Sequence, residues 1–261
     1  MLGYHKNWDI KKIGISKKID YYKILFLKDI IMKDYYQKYI KYKNKYLNLL
    51  QKEDLQKGGG IPKNKFKFIF PYKNGVNYDE LQMTEEGEYS ITKRNDGIQL
   101  LNIMKNKIGN LKNKTITDLT ANVGGDTILF GLNFKKVKSI EINKENFKVL
   151  ENNINVYNLN NVELFEGNAT KIYNWLTDIL YIDPPWGGIN YRNSNNIDLF
   201  LGDYRLDEYL DFILKQEWKP KYVVLKLPKN YNFNRLNNFN GKKYDILNKS
   251  KDIRFNIFII N

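Results

Sequence analysis

A chain of 261 residues has room for one domain of ordinary size plus an extension, with a substantial core. It has no cysteine and a single histidine, His5, so disulfides, thiolate chemistry and histidine-based triads or zinc sites fall away. The net charge is +14, which favours a polyanionic partner, and residues 1–57 hold 14 Lys against 6 Asp and Glu, or +8 of it. No apolar stretch approaches the ~18 residues a membrane span needs. Ile10-Lys11-Lys12-Ile13 interrupts any leader-like apolar region, so the chain reads as soluble and intracellular, cytoplasmic or nuclear.

Lys28 to Leu50 predicts a helix, because Ile31, Tyr35, Tyr39, Tyr42, Tyr46 and Leu49 recur at three- and four-residue steps. Lysines fill the positions between. Residues 1–57 are therefore a basic helical extension, either packed on a neighbour or poorly ordered, or else holding RNA; the first reading is preferred, since Lys-rich faces are usually solvated. Lys57-Gly58-Gly59-Gly60-Ile61-Pro62 marks a flexible boundary, with a linker at 58–65 and a second domain at 66–261. That domain divides into a leading segment, 66–110, and a core, 111–261. In the leading segment, Thr92 stands where a cap belongs for a helix over Lys93–Lys107, and Ser90 is a second capping candidate.

From Thr115 short apolar strands alternate with amphipathic helices. Strands are expected at Thr115–Leu119, Val137–Glu141, Val162–Phe165, Ile179–Ile182, Tyr222–Leu227, Lys243–Leu247 and Arg254–Ile260. Helices are expected from about Asp126, over Lys144–Tyr157 and around Leu206–Gln216. This order implies an α/β fold with a Rossmann-like, doubly wound, mostly parallel sheet and an antiparallel end strand. Such sheets bind ligands beyond the strands' C-terminal ends, where Asp118, Glu141, Asn168, Asp183 and Lys226 all fall.

Asp118-Leu119-Thr120-Ala121-Asn122-Val123-Gly124-Gly125 joins the first strand to its helix, and its glycines allow close backbone approach to a ligand. Asn122 replaces the first glycine of a dinucleotide fingerprint, which makes NAD the poorer reading, and no Walker phosphate loop is present. About 20 residues on, Glu141 ends the second strand, where an acid hydrogen-bonds a ribose diol.

The most informative segment is Asp183-Pro184-Pro185-Trp186-Gly187-Gly188, directly after an apolar strand. Two prolines fix the backbone and carry no N–H. The Pro184 carbonyl and the Asp183 carboxylate can both accept hydrogen bonds from an exocyclic amine, drawing its lone pair out of conjugation. Trp186 offers a face on which a base can stack. The bland alternative is a Pro-rich turn with Trp186 as a core plug.

Together these segments resemble class I S-adenosylmethionine-dependent methyltransferases, and more narrowly the trimethylguanosine synthase family, which methylates N2 of the 7-methylguanosine RNA cap. The likeness spans roughly residues 66–260. It rests on Glu86-Gly-Glu-Tyr-Ser-Ile-Thr92, the turn 118–128, Val137–Asn143 with Asn152-Asn153, the Asp-Pro-Pro-Trp-Gly-Gly run followed by Tyr191, and Leu227-Pro-Lys-Asn230. The departures are Asn122 for glycine, Asn168 where many methyltransferases place an acid against the adenine amine, and Ile189 where the family often has proline.

The resemblance implies S-adenosylmethionine as cofactor, S-adenosylhomocysteine as product, and no metal. It implies Asp183, Pro184 and Trp186 as catalytic residues. Cofactor contacts would come from Thr92, Asp118, Ala121, Asn122, Gly124, Asp126, Thr127, Glu141, Ile142, Asn168 and Ala169, with Asp183 and Pro184. The cap would meet Trp186, Ser90, Tyr191, Arg192, Lys229 and Asn230. The partner is capped RNA and the protein a monomer. N6-adenine or N4-cytosine methylation uses the same Asp-Pro-Pro-aromatic device and stays open, as does an inactive RNA-binding protein on the same fold. Whether one or two methyls are added stays open too.

Overall fold

The structure is a computed structural model that describes residues 61–239 and 241–260. The helix expected at Lys28–Leu50, with Tyr35 and Tyr39, and the glycines at 58–60 lie outside the described residues.

The leading segment contributes α1 (Phe66–Ile69), α2 (Glu85–Ser90) and α3 (Arg94–Ile108). Thr84 caps α2 by accepting the Gly87 N–H at 2.9 Å. Thr92 does not cap α3. The N-cap is Lys93, which makes no side-chain cap, because the Thr92 hydroxyl is taken up by a buried acid described below. Ser90 does not cap it either; its hydroxyl donates back to the Glu86 carbonyl.

The core then alternates β1 (Thr115–Asp118), α4 (Gly125–Asn133), β2 (Lys136–Glu141), α5 (Lys144–Val156), β3 (Val162–Glu166), α6 (Ala169–Ile172) and β4 (Ile179–Ile182). A two-stranded hairpin, β5 (Phe200–Leu201) and β6 (Tyr204–Arg205), precedes α7 (Leu206–Leu214), β7 (Tyr222–Pro228), β8 (Lys242–Leu247) and β9 (Ile253–Ile259). The seven-stranded sheet runs β3-β2-β1-β4-β7-β9-β8. The first five strands are parallel; β9 is antiparallel to both β7 and β8. All seven strands expected from the apolar runs are present within a residue or two.

Central strands β4 and β7 are buried on both faces, which is why they read as continuous apolar runs. One core layer forms between the sheet and α6–α7, from Leu180, Ile182, Tyr209, Ile213 and Leu225. Another, under α3, gathers Leu100, Met104, Phe130, Tyr181 and Phe255. The leading segment is pinned by Phe66, Phe70 and Leu81 against Val123, Leu150 and Tyr157. Fully buried Phe70 and Leu81 contribute about 1.5–3 kcal/mol each. Tyr157 adds a hydrogen bond from its hydroxyl to the Pro71 carbonyl at 2.5 Å. Among the described residues no helix is long and apolar enough to cross a membrane.

Candidate active site

Four parallel strands end at one edge of the sheet and deliver the ionisable side chains Asp118, Glu141, Asp183 and Lys226 there. Ile182 lies opposite Leu225 in the β4–β7 register, so the next residues along, Asp183 and Lys226, emerge side by side. Lys226 Nζ donates to Asp183 Oδ2 at 2.6 Å and to Thr92 Oγ1 at 2.7 Å. Thr92 in turn donates to Asp126 Oδ2 at 2.5 Å, and the Tyr181 hydroxyl donates to the same oxygen at 2.8 Å. Asp183, Lys226, Thr92, Asp126 and Tyr181 thus form one buried polar chain linking β4, β7, α3 and α4. Asp126 Oδ1 is buried without a hydrogen-bond partner.

Three carboxyl groups crowd this edge, and the fields are uneven. Burial and the neighbouring Asp126 push the Asp118 carboxyl up to about 8, although the Thr120 N–H and the Thr127 hydroxyl oppose the shift. Burial also raises Asp183, but Lys226 opposes it and the carboxyl settles at about 6. Lys226 is 4% exposed. Burial lowers its affinity for a proton, and Asp183 and Asp126 more than restore it. At neutral pH the pair is therefore ionised, with Asp183 poised close to protonation.

Beyond Asp183 the chain turns at once. The Asp183 N–H donates to Thr120 Oγ1 at 2.8 Å, fixing the turn against the β1 loop. Pro184 is buried, and its carbonyl is not taken up by a hydrogen bond among the described residues. Trp186 is half-buried. Lys226 Nζ lies 5.5 Å from its ring centroid, and Tyr191 meets it edge-on at 5.2 Å and 77°. The indole N–H lies near enough to Asp183 to help lower that carboxyl, yet makes no hydrogen bond of good geometry, and Nε1 is buried without a partner. Gly187 and Gly188 follow at φ +89° and +79° with open space around them; here the backbone turn, not crowding, requires glycine.

The remaining candidates for substrate contact divide. Asn230 braces the short turn Ile189–Asn193, donating from Nδ2 to the Tyr191 and Ser194 carbonyls, both at 2.6 Å. Its Oδ1 is buried without a partner. Arg192 lies over the Tyr191 ring at 5.7 Å, with Nε donating to the Tyr191 hydroxyl at 3.3 Å. Lys229 is exposed. Neither Arg192 nor Lys229 joins the buried chain.

On the β1–β2 side, Gly124 takes φ +100° at the start of α4. Asn122 takes φ +50°, a conformation Asn tolerates better than most residues, which explains how it stands in for glycine. The Asn122 N–H donates to Glu141 Oε2 and the Asn143 N–H to Glu141 Oε1, both at 2.7 Å. Asn122 Nδ2 donates to Ser90 Oγ at 2.6 Å, which brings Ser90 to the glycine turn. Thr127 donates to Asp118 Oδ2 at 2.8 Å beneath it. Ala121 is buried, whereas Ile142, beside Glu141, is 55% exposed. Asn168 is the N-cap of α6, its Oδ1 accepting from Thr170 N at 3.0 Å and Thr170 Oγ1 at 2.8 Å. Ala169 is buried next to it.

Sequence reasoning placed Lys226 at a strand end but gave it no role, although a lysine inside Tyr222-Val-Val-Leu-Lys-Leu227 was itself a signal. Glu86 was named only as the start of the Glu86–Thr92 segment, with no role of its own. It accepts from Asn143 Nδ2 at 3.0 Å and ties α2 to the end of β2.

An uncharacterised protein of Acanthamoeba polyphaga mimivirus is 30% identical over 246 residues, covering 83% of this chain and 95% of that one. Among solved structures, a Thermus thermophilus 16S rRNA guanosine-N2 methyltransferase in complex with AdoMet and guanosine superposes with a TM-score of 0.51. Its identity is 12%, over 63% of this chain and 43% of that chain, so the likeness is one of fold. A putative RNA methyltransferase from Pyrococcus horikoshii gives a TM-score of 0.46 at 19% identity, over 69% of this chain and 93% of that one. Residues 113–258, which carry every strand of the sheet through most of β9, match the family model for RNA cap guanine-N2 methyltransferases. The chain belongs to that family.

Proposed function

We propose that this protein transfers the methyl group of S-adenosylmethionine to N2 of a 7-methylguanosine RNA cap. The observation that carries the reading is the Asp183–Trp186 segment at the end of β4, with its carboxylate held by Lys226 at 2.6 Å. The β1–β2 edge fits the cofactor. Glu141, its two oxygens oriented by backbone N–H groups, stands at the strand end where an acid hydrogen-bonds a ribose diol. Exposed Ile142 offers apolar surface to an adenine face. Since Asn168 Oδ1 already caps α6, its amide N–H rather than its oxygen would meet adenine. Thr92, Asp118, Ala121, Asn122, Gly124, Asp126 and Thr127 line or support the turn against which the amino-acid portion would lie.

The cofactor supplies an electrophilic methyl on a sulfonium. The protein's task is to hold an amine in line with it, and no covalent nucleophile is required. Asp183 Oδ1 and the Pro184 carbonyl would accept hydrogen bonds from the two N2 hydrogens, which turns the nitrogen lone pair out of the ring's conjugation. As the N2–methyl bond forms the sulfur–methyl bond breaks, S-adenosylhomocysteine leaves and one N2 proton is released to solvent. Trp186 stacks on the base. A guanine methylated at N7 is cationic, so the indole face gains about 0.5–2 kcal/mol over an unmethylated ring. Tyr191, edge-on to Trp186, sets the angle of that face.

The test is methyl transfer to 7-methylguanosine diphosphate beside guanosine diphosphate, with products read by mass. Transfer to the first and not to the second is expected. Transfer instead to adenine or cytosine amines of an uncapped RNA would replace this reading with the amino-methyltransferase alternative.

A further inference from the structure

At the end of the sheet opposite these residues, strands start on lysine. β2 begins at Lys136 and β8 at Lys242, while Lys114 and Lys221 immediately precede β1 and β7. The pairing register lays these starts in one row. Thr115 is opposite Lys136, Ile116 opposite Ile179, Ile179 opposite Tyr222, and both Tyr222 and Lys242 opposite Ile259. Two neighbours extend the row. Lys112, in the turn leading into β1, donates to the Leu132 carbonyl at 2.9 Å. Lys107, in the last turn of α3, shares the Tyr244 ring with Lys242, their ammonium groups 4.4 Å and 5.2 Å from its centroid. Lys114 lies likewise 5.5 Å from the centre of Tyr222.

Among the described residues, two acids form ion pairs with this row, Asp178 with Lys221 at 3.6 Å and Glu163 with Lys136 at 3.1 Å. Asp178 is also occupied by the Thr115 N–H and hydroxyl. Residues 61–261 contain 29 Lys and Arg against 23 Asp and Glu, a net of +6. Six lysines less these two acids leave +4 on one rim, most of the excess charge of that stretch. A surface that served solubility alone would intersperse the signs. Like charges gathered along a line, with tyrosine rings beneath them, suit a polyanion that is itself a line.

We propose that this rim holds the phosphate backbone of the RNA whose 5′ end is being methylated. Its partner rests on the RNA reading above; its location does not. The rim lies a strand's length from the catalytic edge. From Lys136 to Glu141 along β2 the rise is about 17 Å at about 3.3 Å per residue. A lone nucleotide bound at the catalytic edge cannot reach it, whereas a strand of about five nucleotides or more can, taking about 3.4 Å per phosphate as a lower bound on spacing. The rim therefore acts on affinity for RNA, not on the chemistry of the cap.

The experiment uses the full chain with Lys112→Gln, Lys114→Gln, Lys221→Gln and Lys242→Gln combined, its fold checked by circular dichroism and melting. Three probes are compared: 7-methylguanosine diphosphate, a capped RNA of about 20 nucleotides, and phosphatidylcholine–phosphatidylserine vesicles. The expected result is an unchanged KM for the free nucleotide and a Kd for the long RNA raised about tenfold or more. The slope of log Kd against log salt should flatten by about 0.7 for each lysine that contacts a phosphate. An unchanged Kd and salt slope for long RNA overturns the proposal. So does an equal loss on the free nucleotide in a folded variant, or a loss confined to the vesicles, which would make the rim a lipid contact. If the parent protein methylates no cap at all, the catalytic reading falls while the long-RNA Kd still decides the rim.

Discussion

Replacing Lys226 by Met removes the one cation that faces Asp183 in the buried chain, at nearly the same side-chain length. The carboxyl stands at about 6 with Lys226 opposing burial, so about nine-tenths of it is ionised at pH 7. An opposite charge at this range holds an acid down by about 1–3 units. Without it Asp183 moves to about 7–9, and the carboxylate fraction at pH 7 falls to between about half and one in a hundred. If the carboxylate orients the amine, kcat at pH 7 drops by about two- to hundredfold and recovers as the pH is raised toward 9. The assay is kcat against pH on a methylated cap nucleotide, parent beside variant, with Lys226→Arg as the charge-keeping control. Parent activity should fall on the acid side with a midpoint near 6, and the variant's midpoint should lie higher. Stability carries the same sign. A carboxyl raised above its unfolded value costs the fold most at high pH, so the variant's loss of melting temperature should be larger at pH 8 than at pH 5. An unmoved acid limb, or a loss that alkaline pH does not repair, refutes the role given to Lys226.

Trp186→Ala should abolish cap methylation while leaving S-adenosylhomocysteine affinity within a few-fold, since a base–aromatic stack is worth about 1–3 kcal/mol and also orients the ring. Trp186→Phe should keep part of the activity; substantial turnover by the alanine variant rules out the stacking role. Glu141→Ala should weaken S-adenosylhomocysteine roughly tenfold or more by calorimetry, from the loss of a charge-assisted hydrogen bond of about 1.5–3 kcal/mol. It should also lower the melting temperature, because the Asn122 and Asn143 N–H groups lose their acceptors. Asp118→Asn removes a carboxyl that burial lifts to about 8. That group costs the fold about 1.4 kcal/mol for each pH unit between its unfolded and folded values. The variant should therefore gain melting temperature over the parent as pH rises from 5 to 8, and a difference independent of pH would show that Asp118 is not protonated in the fold.

The sheet was legible because its central strands β4 and β7 are apolar on both faces and its parallel strands are separated by helices of clear periodicity. The chain pattern of β1 to β4 and β7 leaves few other ways to bury Ile179–Ile182 and Tyr222–Leu227. The strand-end acids could be named for the same reason, since the C-terminal edge follows from the alternation. Their partners could not. Lys226 meets Asp183 only because β7 lies beside β4 with Ile182 opposite Leu225, and no local pattern encodes that register. Thr92 looked like a cap from its position alone, and lost that role to Asp126, 34 residues away. Asn230 was named as a cap contact, and no local pattern showed that its amide N–H groups also hold the Tyr191 turn from 39 and 36 residues away. The β5–β6 hairpin has two residues in each strand, too short for alternation to register.

The place of β9 in the sheet has a genetic consequence. β9 is sandwiched between β7 and β8, giving seven paired positions to one and six to the other. A stop codon at Ile253 would leave intact every residue assigned here to the cofactor, the cap or the Asp183–Lys226 pair. It would nevertheless strip β7 of one of its two partners and turn the strand carrying Lys226 into a bare sheet edge, open to water and to pairing with other chains. Nonsense and frameshift alleles within the codons of β9 should thus behave as nulls by aggregation. During synthesis, β7 cannot complete its pairing until β9 has left the ribosome.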